Sequence, residues 1–144
     1  MSWLLEEFTG RVTGVIGAVL VSRDGLKMAV SGLGSDRADR AAAWMSSLHS
    51  LARSAATLIG GPDGGFRQAI IEDNSVLVFV VSADHAATTG TGSESGLVGS
   101  VLGVLAEPGA DPGVVGYEMS LLVKSVAEHM VTETRGGRHT DGDR

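Results

Sequence analysis

At 144 residues, with 43% hydrophobic side chains and very few aromatics, the chain is sized for one domain whose core relies on Val, Leu, Ile and Ala. A net charge of −6 with no concentrated Lys/Arg face argues against a nucleic-acid partner, because phosphate binding needs clustered cations. The absence of cysteine removes disulfides, thiolate catalysis and cysteine-based zinc sites.

The opening segment, Met1-Ser2-Trp3-Leu4-Leu5-Glu6-Glu7-Phe8, lacks the basic stretch and apolar run of a secretory signal, so a cytoplasmic protein is expected. It places Leu4, Leu5, Phe8 and Val12 on one stripe of a short helix. Residues 15–21 are continuously apolar, and Asp24-Gly25 joins them to residues 26–30 as a hairpin, since glycine tolerates the positive φ of a tight turn. The first of these strands does not alternate and should be buried on both faces. The second places Leu26, Met28 and Val30 on one side and Lys27 on the other, as an edge strand would.

Residues 35–59 read as one long helix. At about 100° per residue, Ala38, Ala41, Ala42, Trp44, Met45, Leu48, Leu51, Ala52, Ala55, Leu58 and Ile59 fill an arc of roughly 200°, wider than one sheet face needs. The rest is mostly Ser46, Ser47, Ser50, Ser54 and Thr57, and between Arg40 and Ile59 the only formal charge is Arg53. Small hydroxyl side chains let a second backbone come close. This helix is therefore expected to lie on its own sheet and also against a partner subunit. Arg53, His49 and the serines disfavour insertion into a membrane.

Gly60-Gly61-Pro62-Asp63-Gly64-Gly65 cannot continue a helix and reads as a loop. Residues 66–72, carrying Arg67, Gln68 and Glu72, form a second edge strand, and after Asp73-Asn74-Ser75 the apolar residues 76–81 form a central one. Residues 83–99 are Gly, Ser, Thr and Ala with little periodicity, the pattern of a mobile loop. Residues 100–106 give a fifth strand, stopped by Glu107-Pro108-Gly109. Asp111 and Pro112 supply an N-cap and a first-turn proline, after which Val115, Met119, Leu122, Val126 and Met130 recur at helical spacing through Val131. Residues 1–134 are thus expected to form a single domain, and residues 135–144 a disordered polar tail. The fold class is α+β: a five-stranded antiparallel sheet sandwiched between one long helix and two terminal helices.

Chemistry is sparse. Gly32-Leu33-Gly34-Ser35-Asp36 precedes a helix but lacks the third glycine and the lysine of a P-loop, and no helix pattern follows the glycines of residues 90–96. His49, His85, His129 and His139 share no one-turn spacing with a carboxylate that would make a metal or base constellation. No catalytic, cofactor-binding or metal-binding residue is assigned. At the start of the long helix, Asp36 and Asp39 favour the positive helix end; Arg37 and Arg40 are either solvated beside them or turned toward an acidic partner. His49, at the edge of the apolar arc, reads as a packed interface histidine.

The run Gly14-Val15-Ile16-Gly17-Ala18-Val19-Leu20-Val21-Ser22-Arg23-Asp24-Gly25-Leu26, the alanine-rich helix ending near Gly60-Gly61, and the sequence from Leu102-Gly103-Val104-Leu105-Ala106 to Tyr117-Glu118-Met119 resemble the roadblock (dynein light chain type) family. The resemblance covers about residues 3–133. It is nearest to bacterial members that accompany small Ras-like GTPases, often with a sensor-kinase-like protein. It implies a roadblock, profilin-like architecture and a homodimer, with the strands at residues 66–72 paired and the long helices side by side. On that reading Trp44, Met45, Leu48, Leu51, Ala55, Phe66, Arg67, Gln68 and Ile70 form the dimer interface, and Arg37, Arg40 and His49 are candidate contacts for the GTPase. The implied function is non-enzymatic regulation of the GTPase, by arranging its own residues for hydrolysis. The other implied function is a scaffold binding a sensor-kinase-like or other partner whatever the nucleotide state. Residues 83–99 depart from the pattern, since bacterial relatives use a short turn there. A small-ligand sensor of similar shape would need polar groups inside the sheet layer, and these strands offer none.

Overall fold

The computed structural model describes residues 1–62, 65–83 and 99–142, with only the helical backbone over residues 131–142. Helix α1 (Ser2–Arg11) leads into β1 (Val15–Val21) and β2 (Lys27–Ser31). Then come α2 (Ser35–Arg53), a 3-10 turn (Ala55–Ile59), β3 (Gln68–Glu72), β4 (Leu77–Ser82), β5 (Val101–Ala106) and α3 (Pro112–Gly142). All neighbouring strands are antiparallel, in the order β2-β1-β5-β4-β3. The wholly apolar strands occupy the centre and the two half-polar strands the edges, as their composition predicts.

Each sheet face has its own core. Leu5 and Phe8 of α1 and Val115, Met119, Leu122 and Val126 of α3 pack on Leu20, Phe79, Leu102 and Val104. On the other face, Ala42 and Met45 of α2 pack on Val19, Val21, Val78, Val80 and Val101. Helix α2 lies close on β5, where a Cβ added to Gly103 would clash with the Met45 sulfur. Glycine is there because the helix would otherwise have to rise off the sheet. The hairpin forms as expected: Gly25 adopts a φ of +84°, its N–H donates to the Ser22 carbonyl, and the Ser22 N–H donates to the Leu26 carbonyl, each at 2.9 Å. Asp111 caps α3, its Oδ1 accepting from the N–H groups of Gly113 at 2.9 Å and Val114 at 3.3 Å.

Three local expectations are corrected. The alternation in β2 is broken, because Leu20 opposes Ala29 while Val21 opposes Lys27, leaving Met28 as an extra residue in a bulge. Met28 and Ala29 therefore both join the core under α1 and α3, Val30 joins the core under α2, and Lys27 meets Asp39 of α2 at 2.7 Å. The long helix does not run uniformly to Ile59. The Ser54 hydroxyl donates to the Leu51 carbonyl at 2.7 Å, and the chain tightens into the 3-10 turn that ends at Gly60 with a φ of +80°. Helix α3 continues past Val131 to Gly142, through residues expected to form a tail. An established helix propagates one residue at a time without a new nucleation cost, and no proline interrupts it. The loop expected at residues 83–99 lies, but for its ends, outside the described residues. Those ends are joined by the Ala83 N–H, which donates to the Ser100 carbonyl at 2.9 Å.

Candidate interaction surface

The inward side of α2 is fixed by Ala38, Ala42 and Met45, each no more than 3% exposed. The surplus of its apolar arc lies outside. Trp44 is 45% exposed, Leu51 71%, Leu58 87% and Ile59 90%. Within α2, Trp44, Leu48 and Leu51 follow in steps of four and three, the spacing of one helix face, with Leu48 partly packed on its own core and Trp44 and Leu51 outward. Met45 does not belong to that face. It is enclosed in its own subunit's core over Gly103, and its assignment to the interface is corrected accordingly.

Arg37 and Arg40 are exposed on the first turns of α2, on the same outward stripe, about two turns and one turn before Trp44 respectively. Asp39 is turned aside to Lys27, and neither arginine takes part in the ion pairs found among the described residues. The structure thus joins the two arginines to the apolar seam. It does not join His49 to them. The His49 ring continues the inward stripe of Ala42 and Met45, half-buried and edge-on to Phe66 with centroids 5.2 Å apart, tying the helix to the segment that enters β3.

β3 supplies a second exposed feature. The Ser82 N–H donates to the Arg67 carbonyl at 2.9 Å and the Asp73 N–H to the Val76 carbonyl at 3.0 Å, so the odd-numbered residues bond to β4. The N–H and C=O groups of Gln68, Ile70 and Glu72 therefore point out of the sheet edge. Arg67 and Gln68 are exposed and Ile70 is 49% exposed, while Ile71 packs beneath α2. The opposite edge differs, for β2 carries the Met28 bulge and the Lys27–Asp39 ion pair, both of which discourage strand addition.

Sequence reasoning did not single out a third feature. Helices α1 and α3 leave β3 uncovered, and a groove of about 350 Å³ runs between β3 and α3, lined by Gln68, Ile70, Phe79, Gly116, Tyr117 and Met119. Val114, Tyr117 and Leu121 continue outward from it at helical spacing, a signal present in the sequence opposite the buried stripe of Val115, Met119 and Leu122. Among the described residues no set of side chains could hold a metal ion, and no helix is long and apolar enough to cross a membrane.

The described residues form a helix-sheet-helix layer that exposes apolar side chains on α2 and pairs the outer strand β3 only with β4. The match to known proteins is specific. Residues 1–88 fit the Roadblock/LC7 domain model. A Roadblock/LC7 domain crystal structure from Streptomyces avermitilis is 41% identical, with 91% of this chain and 98% of that one covered and a TM-score of 0.74. A second from the same organism is 34% identical, with 86% and 95% covered and a TM-score of 0.61. Myxococcus xanthus MglB shares the fold at 14% identity, with 91% and 87% covered and a TM-score of 0.68. No curated protein sequence matches the chain. The chain belongs to the Roadblock/LC7 domain family, whose domains are generally non-catalytic regulators or scaffolds.

Proposed function

We propose that the chain is a homodimeric, non-enzymatic regulator of a small Ras-like GTPase that stimulates GTP hydrolysis by ordering the GTPase's own residues. The observation that carries this reading is the outward stripe of α2, where Arg37 and Arg40 lead directly into Trp44, Leu48 and Leu51. Two such helices side by side bury the apolar part of the stripe against each other. The arginines then flank the helix pair at both ends, free to meet acidic groups or phosphate on a partner. The family membership and the fold shared with MglB support a GTPase as that partner. Stimulating hydrolysis requires binding the GTPase's transition state more tightly than its GTP-bound ground state, and weaker binding of the GDP state releases the product.

The test is GTP turnover by small Ras-like GTPases encoded beside this chain's gene, with and without the protein, together with binding to their GDP and GTP-analogue states. Faster turnover with GTP-selective binding is expected. The double variant R37A/R40A should lose about tenfold or more of the acceleration while retaining the dimer mass. Binding without acceleration replaces the regulator with a scaffold, and no binding in either state removes the GTPase from the proposal.

A further inference from the structure

On the side of the sheet opposite α2, we infer a second docking surface whose partner is a basic amphipathic helix laid along α3. Phe8 and Phe79 are buried, yet the single tyrosine and both tryptophans are exposed. These are the aromatic types that interfaces favour, since each joins a large apolar body to a polar handle. Trp44 belongs to α2. Tyr117, at 63% exposure, stands on α3 between Val114 and Leu121, and steps of three and four residues place all three on one outward face about 10 Å long. Beside Val114 that face opens into a groove of about 380 Å³ where α1 ends and α3 begins, lined by Arg11, Val12, Ala110, Asp111, Val114 and Glu118.

The charge of the partner follows from the side chains around this stripe. Arg11 is held by two carboxylates at once, Glu7 at 3.1 Å and Glu118 at 2.9 Å, so the cluster keeps a net negative charge. Among the described residues of this layer, Glu107 and Asp111 add to it at one end of the stripe and Glu128 at the other, against Lys124. The balance on α2 is the reverse, with Arg37, Arg40 and Arg53 against Asp36 and Asp39. Surface carboxylates contribute little energy singly, so the apolar stripe supplies the grip and the field selects a cationic partner. An amphipathic helix meets both demands. Its apolar face covers Val114, Tyr117 and Leu121, and lysines or arginines on its flank reach Glu7 and Glu118. Because the sheet separates this surface from α2, a partner here leaves the Arg37 and Arg40 stripe open, and the chain can hold two proteins at once.

The probe is a short fluorescein-labelled helix of leucine and lysine, followed by anisotropy, with a leucine and glutamate helix of the same pattern as its control. Micromolar binding of the first, and binding of the second weaker by about tenfold or more, are expected. Y117D and L121D change exposed positions, so their far-ultraviolet spectra should be unaltered while affinity falls by about tenfold. E7Q/E118Q should weaken binding severalfold, whereas D24N/D36N, which removes the same charge on the α2 side, should leave it unchanged. No binding of the basic helix, equal affinity for the two helices, or binding indifferent to Y117D and L121D overturns the surface. Equal effects of E7Q/E118Q and D24N/D36N overturn the basic partner, because net charge alone would then account for the preference. Sedimentation of the chain by itself supplies the last arm. Growth in mass with concentration that Y117D abolishes would give the surface to a second copy and likewise overturn the basic partner.

Discussion

At position 103 a hydrogen atom instead of a methyl group determines how closely α2 lies on the sheet. A Cβ there would clash with the Met45 sulfur, so G103A should destabilise the chain by about 1–3 kcal/mol in urea unfolding. Met45 is buried to 1% exposure, so M45A should cost about 2–5 kcal/mol. Because both changes act on one space, their costs should not add: M45A in the G103A background should be markedly milder. The sequence places Met45 in an apolar arc but does not tell its inner from its outer half. Ala42, Met45, Leu48 and Leu51 are all apolar, and only the position of Gly103 on the facing strand separates them. The cap at Asp111 and the turn at Gly25 were legible because each rests on one residue type in one local geometry.

Elements were legible where their signals are local and strong. The apolar runs of β1, β4 and β5 specify a buried centre, and the polar residues of β2 and β3 specify the edges. The Met28 bulge and the tightening at Ser54 were not legible. The first depends on how β2 meets β1, and the second on which carbonyl the Ser54 hydroxyl reaches. Helix α2 makes the sharpest prediction at this scale, since its two sides should respond oppositely to charge. W44D and L51D alter exposed positions and should give folded monomers, read by sedimentation with an unchanged far-ultraviolet spectrum. A42D, at a position 3% exposed, should instead unfold the chain. A dimer that survives W44D or L51D would show that the seam faces something other than a second copy.

For the molecule as a whole, three central strands without a polar face require cover on both sides. That requirement makes the helix-sheet-helix order readable from composition alone. The helix layer over β3 is the exception. Covering β4 and β5 with α3 leaves the outermost strand and the Tyr117 groove open, a matter of layer width that periodicity along one segment does not encode. A chain whose folded state is dimeric unfolds with a midpoint that rises with concentration. Calorimetry should show Tm climbing by about 2–3 °C per tenfold increase in protein, and the dependence should vanish in W44D. A concentration-independent midpoint in the unmodified chain would mean that association contributes nothing to stability.

The bulge at Met28 limits how far self-association can proceed. A sheet with two flat edges can recruit copies at both ends and grow without limit, which is the geometry of a fibre. Here one edge is kinked and carries the ion-paired Lys27, while the other, β3, pairs without a register shift and, among the described residues, only with β4. On the proposed homodimer each copy would have a valence of one through the sheet, and growth there would stop after a single addition.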